Sequence, residues 1–217
     1  MTEFPLEYVH VEPETPSDGP APAVFVLHGR GANEQDLLPI AAELPDSAHI
    51  ISLRAPDRLH GGYTWYELDL SAGGLHQSQP DPVDFERTLS LVADSIEAAI
   101  EAYNLDADRL GLLGFSQGAI TSMSLLLESP TMFQWVVALH GYLPASHREL
   151  NPDGIADKPI FIAAGNADEI IPAARSAAAA ERFEQLDAAV DYTVYNTAHG
   201  VSAEELTDLV AFVDAQS

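Results

Sequence analysis

With 217 residues, 47% of them apolar, the chain is long enough to bury one sizeable core, and we expect a single domain over residues 1–217. Its 34 acidic against 9 basic residues give a formal charge of −25, which leaves no basic stripe to meet phosphates and argues against a nucleic-acid partner. The absence of cysteine excludes disulfides, thiolate metal sites and cysteine nucleophiles, and no segment approaches the roughly 18 consecutive apolar residues of a membrane span.

Along the chain, apolar and β-branched runs alternate with segments of helical period. Strands are expected at Leu6–Val11, Val24–Leu27, His49–Leu53, Arg109–Leu113, Trp135–Leu139, Pro159–Ala163 and Val190–Tyr195. Val24–Leu27 and Ile160–Ala163 are apolar throughout rather than alternating, as in parallel strands buried on both faces. Helices are expected at Glu34–Glu43, Val83–Tyr103, Gln117–Glu128, Ala173–Leu186 and Ala203–Ala215. In the second, Phe85, Leu89, Val92, Ile96 and Ile100 form an apolar stripe at spacings of three and four. This order implies an α/β fold with right-handed crossovers around a mostly parallel sheet, helices on both faces and no large cap domain. The connection over residues 54–80 is long and rich in Gly, Pro and His. Its Trp65, Tyr66, Leu68 and Leu75 either roof a pocket or form a satellite cluster under the loop.

Gly114-Phe115-Ser116-Gln117-Gly118 is a G-x-S-x-G pentapeptide between an expected strand and an expected helix. In that setting the serine sits on a strained turn with its hydroxyl exposed at the carboxyl end of the sheet, ahead of a helix N-terminus. The alternative is an ordinary serine N-cap. A serine hydroxyl needs a base, and the base an orienting acid, in the chain order Ser, Asp, His. His199 follows the last strand, and Gly200 offers a tight turn after it; His140 comes too early to leave room for an acid and is expected to line the site or pack near it. Asp168, in the loop after Pro159–Ala163, is the expected acid; Glu169 is its nearest rival, and Asp157 precedes that strand at the wrong end. The oxyanion donors expected are the N–H of Gln117 at the helix start and that of Arg30, which lies between two glycines. The same glycines do not make a dinucleotide fingerprint, because Glu34 stands where the third glycine belongs. The histidines lack paired ligand spacing, so no metal and no cofactor are expected.

Leu27-His28-Gly29-Arg30-Gly31, the pentapeptide, Asp168-Glu169-Ile170-Ile171-Pro172 and His199-Gly200-Val201-Ser202 together resemble the phospholipase/carboxylesterase family of α/β-hydrolases. That family includes acyl-protein thioesterases and small bacterial carboxylesterases. The resemblance runs from about Ala23 to the C-terminus. It implies an esterase acting through an acyl-enzyme, with Ser116 as nucleophile, Asp168 as acid, His199 as base, and Arg30 and Gln117 forming the oxyanion hole. Trp65-Tyr66 looks like the family's aromatic pair, and with Leu75 and His140 is expected to meet substrate. His140 and Arg30 depart from the residues that relatives commonly carry, a small serine and an apolar residue respectively. A thioesterase or lysophospholipase would use the same machinery, and a hydrolase fold used only for binding is the alternative from another class.

The acidic residues are dispersed, and Lys158 is the only lysine. This composition resembles that of proteins from salt-in halophiles, where molar salt screens self-repulsion over about 3 Å; a merely acidic mesophilic enzyme is the alternative. The acidic start Met1-Thr2-Glu3-Phe4-Pro5 lacks the pattern of a signal peptide, so a cytoplasmic enzyme is expected, monomeric or homodimeric, acting on a small ester.

Overall fold

The computed structural model describes residues 4–15 and 19–216; Met1, Thr2 and Glu3 of the acidic N-terminal start lie outside the described residues. Seven strands form the main sheet: β1 (Tyr8–Val11), β2 (Ala21–Leu27), β3 (His49–Leu53), β8 (Leu105–Phe115), β9 (Trp135–Leu139), β10 (Pro159–Gly165) and β11 (Ala189–Tyr195). Their order is β1-β3-β2-β8-β9-β10-β11. All pairings are parallel except β1 with β3, so the sheet is parallel apart from one edge strand. All seven expected strands are present, the longest being β8.

The period-2 geometry of strands explains the two cores. In β2, Ala23, Phe25 and Leu27 face one side and Val24 and Val26 the other. The first side packs against α2 (Pro82–Tyr103), α3 (Gln117–Glu128) and α4 (Ala173–Gln185); the second packs against α1 (Leu38–Ala41) and α5 (Ala203–Asp214). With both faces covered, the central strands read as continuous apolar runs. Each fully buried Leu, Ile or Phe contributes roughly 1.5–3 kcal/mol through removal from water. The stripe predicted on α2 is buried at Phe85, Leu89, Val92 and Ile96, with Ile100 partly buried behind them. Local chemistry sets the helix ends. Asp81 caps α2 by accepting from the N–H groups of Val83 and Asp84, Pro82 opens it, and Asn104 closes it in the left-handed conformation.

One expectation needs correction. The helix anticipated over Glu34–Glu43 shrinks to the single turn Leu38–Ala41. Asn33 Oδ1 accepts from the Gln35 N–H at 2.9 Å, the backbone bonds Asp36 N to Asn33 O and Leu38 N to Gln35 O close tighter turns, and Pro39 has no N–H to donate. Residues 54–80 carry short elements of their own. They hold a hairpin of β4 (Asp57–Leu59) and β5 (Gly62–Thr64), a 3₁₀ turn at Leu75–Gln77, and β6 (Leu68–Asp69), which pairs with β7 (Gln79–Pro80).

Glu34 is withdrawn from a helix by a partly buried ion pair. Arg54, just after β3, donates from Nε to Glu34 Oε2 at 2.6 Å and from Nη2 to Oε1 at 2.7 Å, and it also bonds Glu7. Its guanidinium lies 4.8 Å from the centroid of the Tyr63 ring. This fork pins the 28–37 loop to the end of β3. The hydrogen-bonded Arg54 holds the Glu34 carboxyl below the ordinary carboxylate range. A depressed carboxylate stabilises above its unfolded value and loses that contribution as pH falls through its folded value. We therefore expect Glu34→Gln to lower stability by about 2 kcal/mol near neutral pH, as read by urea unfolding. The gap between the two proteins should narrow below about pH 4; a gap independent of pH would contradict this origin.

Candidate active site

Five loops leave the carboxyl ends of β2, β8, β9, β10 and β11 and converge on one edge of the sheet, the ligand-binding edge of open α/β folds. The turn between β8 and α3 is the most constrained. Ser116 has φ +55° and ψ −115°, a conformation that non-glycine residues rarely adopt. Its N–H is held by Leu139 O at 2.9 Å, and its carbonyl takes the Ile120 N–H at 3.0 Å. Gly118 is required by close approach, since a Cβ there would stand 2.0 Å from the Leu27 carbonyl oxygen. The first turn of α3 thus lies directly on the end of β2. Ser116 makes no capping bond, so the N-cap alternative does not describe its side chain.

His199 Nε2 lies 2.9 Å from Ser116 Oγ, and His199 Nδ1 lies 2.7 Å from Asp168 Oδ2. An ionised carboxylate only accepts, so in the neutral imidazole Nδ1 carries the proton and Nε2 presents its lone pair to the serine hydroxyl. Asp168 is buried, and its Oδ1 accepts from the N–H groups of Ile170 and Ile171, each at 2.9 Å. Burial opposes its charge, but the bonds from His199, Ile171 and His140 outweigh that and hold its carboxyl below the usual value. Such a line can carry a proton from the hydroxyl to the imidazole while the carboxylate stabilises the cation. The loops are joined beside it: Ala167 N donates to Thr197 O at 3.1 Å and Asn166 N to Tyr195 O at 2.9 Å. The turn at His199 does not rely on glycine freedom as expected. Gly200 has open space around it and no left-handed φ, and Thr197 Oγ1 closes the turn on Gly200 O at 3.1 Å. Glu169 is exposed, and Asp157 lies before β10, away from this edge.

The cleft beside Ser116 has a volume of about 230 Å³ and is lined by Arg30, Leu68, Leu75, Gln117, Ile120 and Tyr142, among others. No carbonyl takes the Arg30 N–H among the described residues. The Gln117 N–H lies in the first turn of α3, where a helix has no internal acceptor. His28 shapes the Arg30 loop. The Ala55 N–H donates to His28 Nε2 at 3.1 Å, so Nδ1 carries the proton and donates to Gly29 O at 2.7 Å. Burial lowers its pKa and favours this neutral form.

Of the four residues expected to meet substrate, Leu75 lines the cleft, whereas Trp65, Tyr66 and His140 do not. Trp65 and Tyr66 are wholly buried in the core, so the first half of the 54–80 segment is wall and the second half is roof. Trp65 Nε1 donates to His28 O at 2.7 Å, which makes the ring a brace for the loop that carries Arg30. A Cβ at Gly62 would stand 2.0 Å from the Gly31 carbonyl oxygen, so the two loops are in backbone contact. The roof is tied down by Arg175, which donates to Ser78 O at 2.7 Å and stacks 3.2 Å from the centroid of the Tyr142 ring. His140 is fully buried against Asp168 and Glu205, at 3.0 and 3.3 Å. Polar atoms of His140, Asp168 and His199 come within 4.8 Å of one another, a grouping that histidine spacing along the chain did not reveal.

A family model described as Phospholipase/Carboxylesterase matches residues 9–217. Acyl-protein thioesterase 1 of Candida albicans is 26% identical over 210 residues, covering 88% of this chain and 90% of that protein. Acyl-protein thioesterase 1 of Debaryomyces hansenii is 28% identical over 166 residues, covering 73% and 71%. The crystal structure of the Bacillus cereus carboxylesterase superimposes with a TM-score of 0.85 at 25% identity, covering 98% of this chain and 95% of that one. The sheet described above is accordingly that of the α/β-hydrolase fold. No helix among the described residues is long and apolar enough to cross a membrane.

The glutamine of the pentapeptide has a side-chain role beyond its N–H. Buried Gln117 accepts at Oε1 from Thr64 Oγ1 at 3.0 Å and from the Trp65 N–H at 3.1 Å, and donates from Nε2 to Tyr66 O at 2.9 Å. Gln117→Leu strands these buried groups and should lower stability by about 3 kcal/mol. The urea midpoint checks this, and an unchanged midpoint would remove Gln117 as the lock between α3 and the aromatic wall.

Proposed function

The chain belongs to the phospholipase/carboxylesterase family and is a serine hydrolase, and on that premise we propose that it is a carboxylesterase cleaving short- to medium-chain acyl esters through a Ser116–His199–Asp168 triad. The observation that carries this reading is the hydrogen-bonded line from Asp168 through His199 to a strained Ser116. His199 removes the hydroxyl proton as Ser116 Oγ attacks the ester carbonyl, and Asp168 stabilises the imidazolium. The N–H groups of Gln117 and Arg30 hold the oxyanion. His199 then protonates the departing alcohol, and water resolves the acyl-enzyme by the same route reversed. The acyl chain lies against Leu68, Leu75 and Ile120; the cleft of about 230 Å³ falls below the roughly 300–1,000 Å³ of sites for larger ligands, which favours short chains. Thioester hydrolysis is the second reading, favoured by the relatives named acyl-protein thioesterase.

Ser116→Ala and His199→Ala should each lower kcat by at least about 10⁴-fold on p-nitrophenyl esters. A retained kcat in either variant would remove that residue from the triad. On wild-type protein, kcat/KM should peak at short or medium acyl chains and exceed that for the matching thioester; the reverse order would favour the thioesterase.

We further propose a cytoplasmic, salt-adapted enzyme that acts as one domain over residues 1–217, as a monomer or homodimer without a nucleic-acid partner. The charge of −25 supports salt adaptation, because its self-repulsion opposes the compact state in dilute buffer. The thermal midpoint should rise by about 10 °C between dilute buffer and molar KCl, on the order of 3 kcal/mol. A midpoint indifferent to KCl would contradict salt adaptation.

A further inference from the structure

His140 follows β9 in a left-handed conformation with φ +53°, fully buried behind the proposed triad. Its imidazole lies between two carboxylates: Nδ1 is 3.0 Å from Asp168 Oδ2 and Nε2 is 3.3 Å from Glu205 Oε2. Asp168 Oδ2 is the oxygen that His199 Nδ1 also reaches, at 2.7 Å. Glu205 stands in the first turn of α5, where its Oε2 accepts the Ser202 N–H at 3.3 Å as half of a capping box. The titratable groups that face His140 are therefore Asp168 from the loop after β10, Glu205 from α5, and the edge of the His199 ring, 5.6 Å away between centroids; Phe115 fills another side at 5.6 Å.

Ionised carboxylates only accept hydrogen bonds. A neutral imidazole has one N–H and would turn a lone pair towards one of its two carboxylates, whereas the doubly protonated ring donates to both. We propose that His140 is a positioning residue, an imidazolium clamped between Glu205 and Asp168 that fixes the Asp168 carboxylate and weakens its hold on the His199 proton. Burial opposes this charge, but the bonds to Glu205 and Asp168 outweigh it and raise the His140 pKa above its ordinary value. Two consequences follow from charge alone. Asp168 is oriented from both sides of Oδ2, and a cation beside it disfavours a second cation on His199.

The inference rests on the triad proposed above, and the test separates the two. Asparagine tolerates positive φ and donates to Asp168 without charge, so His140→Asn removes the cation while keeping one bond. The pH dependence of kcat/KM for p-nitrophenyl acetate in molar KCl is compared among wild type, His140→Asn and Ser116→Ala. The acid limb of His140→Asn should move up by about one pH unit, with a plateau within about tenfold of wild type. A lowered plateau with an unmoved limb means a merely structural histidine and overturns the inference, leaving the triad intact. Wild-type activity no greater than that of Ser116→Ala overturns the triad and this inference with it. A second measurement does not depend on activity or on the folding of that variant. In ¹⁵N-histidine spectra of the wild-type chain, one of the eight histidines should keep both ring nitrogens protonated at pH 8 and lose one in Glu205→Gln. Eight singly protonated rings at pH 8 would overturn the clamp.

Discussion

Everything at the site depends on the approach of α3 to the end of β2. Gly118 allows the first turn of the helix to lie against the Leu27 carbonyl, and the chain can reach that position from β8 only through the positive-φ conformation of Ser116. Such a residue costs about 1–3 kcal/mol, and the surrounding structure must over-determine it. Here it does: residues 117–127 of α3 are buried without exception, and Ser116 N is bonded to Leu139 O. The strain and the placement of the hydroxyl at the cleft have one origin. The same turn sets Gln117 on the wall of the cleft that Arg30 also lines.

The loops around that turn are held by polar groups rather than by apolar burial alone. Trp65 Nε1 reaches His28 O, Gln117 ties the 64–66 backbone to α3, and Glu34 takes a two-point grip from Arg54. Few cations are available in this acidic chain, and two of them brace the site's loops: Arg54 steadies the 28–37 loop and Arg175 the roof at Ser78. Many of the other acids among the described residues, such as Glu12, Glu43, Glu97 and Glu149, lie exposed to solvent and salt. Molar salt screens the dispersed surface charge, while these short, partly buried contacts keep much of their strength.

The elements visible in the sequence were those whose residues answer to local geometry. Val24–Leu27 and Ile160–Ala163 are apolar on both faces because helices cover both faces of the sheet, and the order Ser116, Asp168, His199 follows from loops at one edge. What failed to show depended on tertiary partners. The stretch Glu34–Glu43 has helical composition, yet Asn33, Arg54 and Pro39 divert it into turns. Trp65 and Tyr66 read equally as the roof of a pocket or as a cluster under the loop, and the backbone contact of Gly62 with Gly31 goes with their burial in the wall. His140 and Glu205 lie 65 residues apart in the chain, so only the packing of α5 against the sheet brings them together.

Whether the strained turn presents Ser116 as an activated nucleophile is tested directly by a fluorophosphonate probe. Intact-mass and peptide-mapping spectrometry of the full chain in molar KCl should find one adduct per chain, on Ser116. Protein that stays unlabelled under those conditions, or an adduct on another serine, would contradict that role for Ser116.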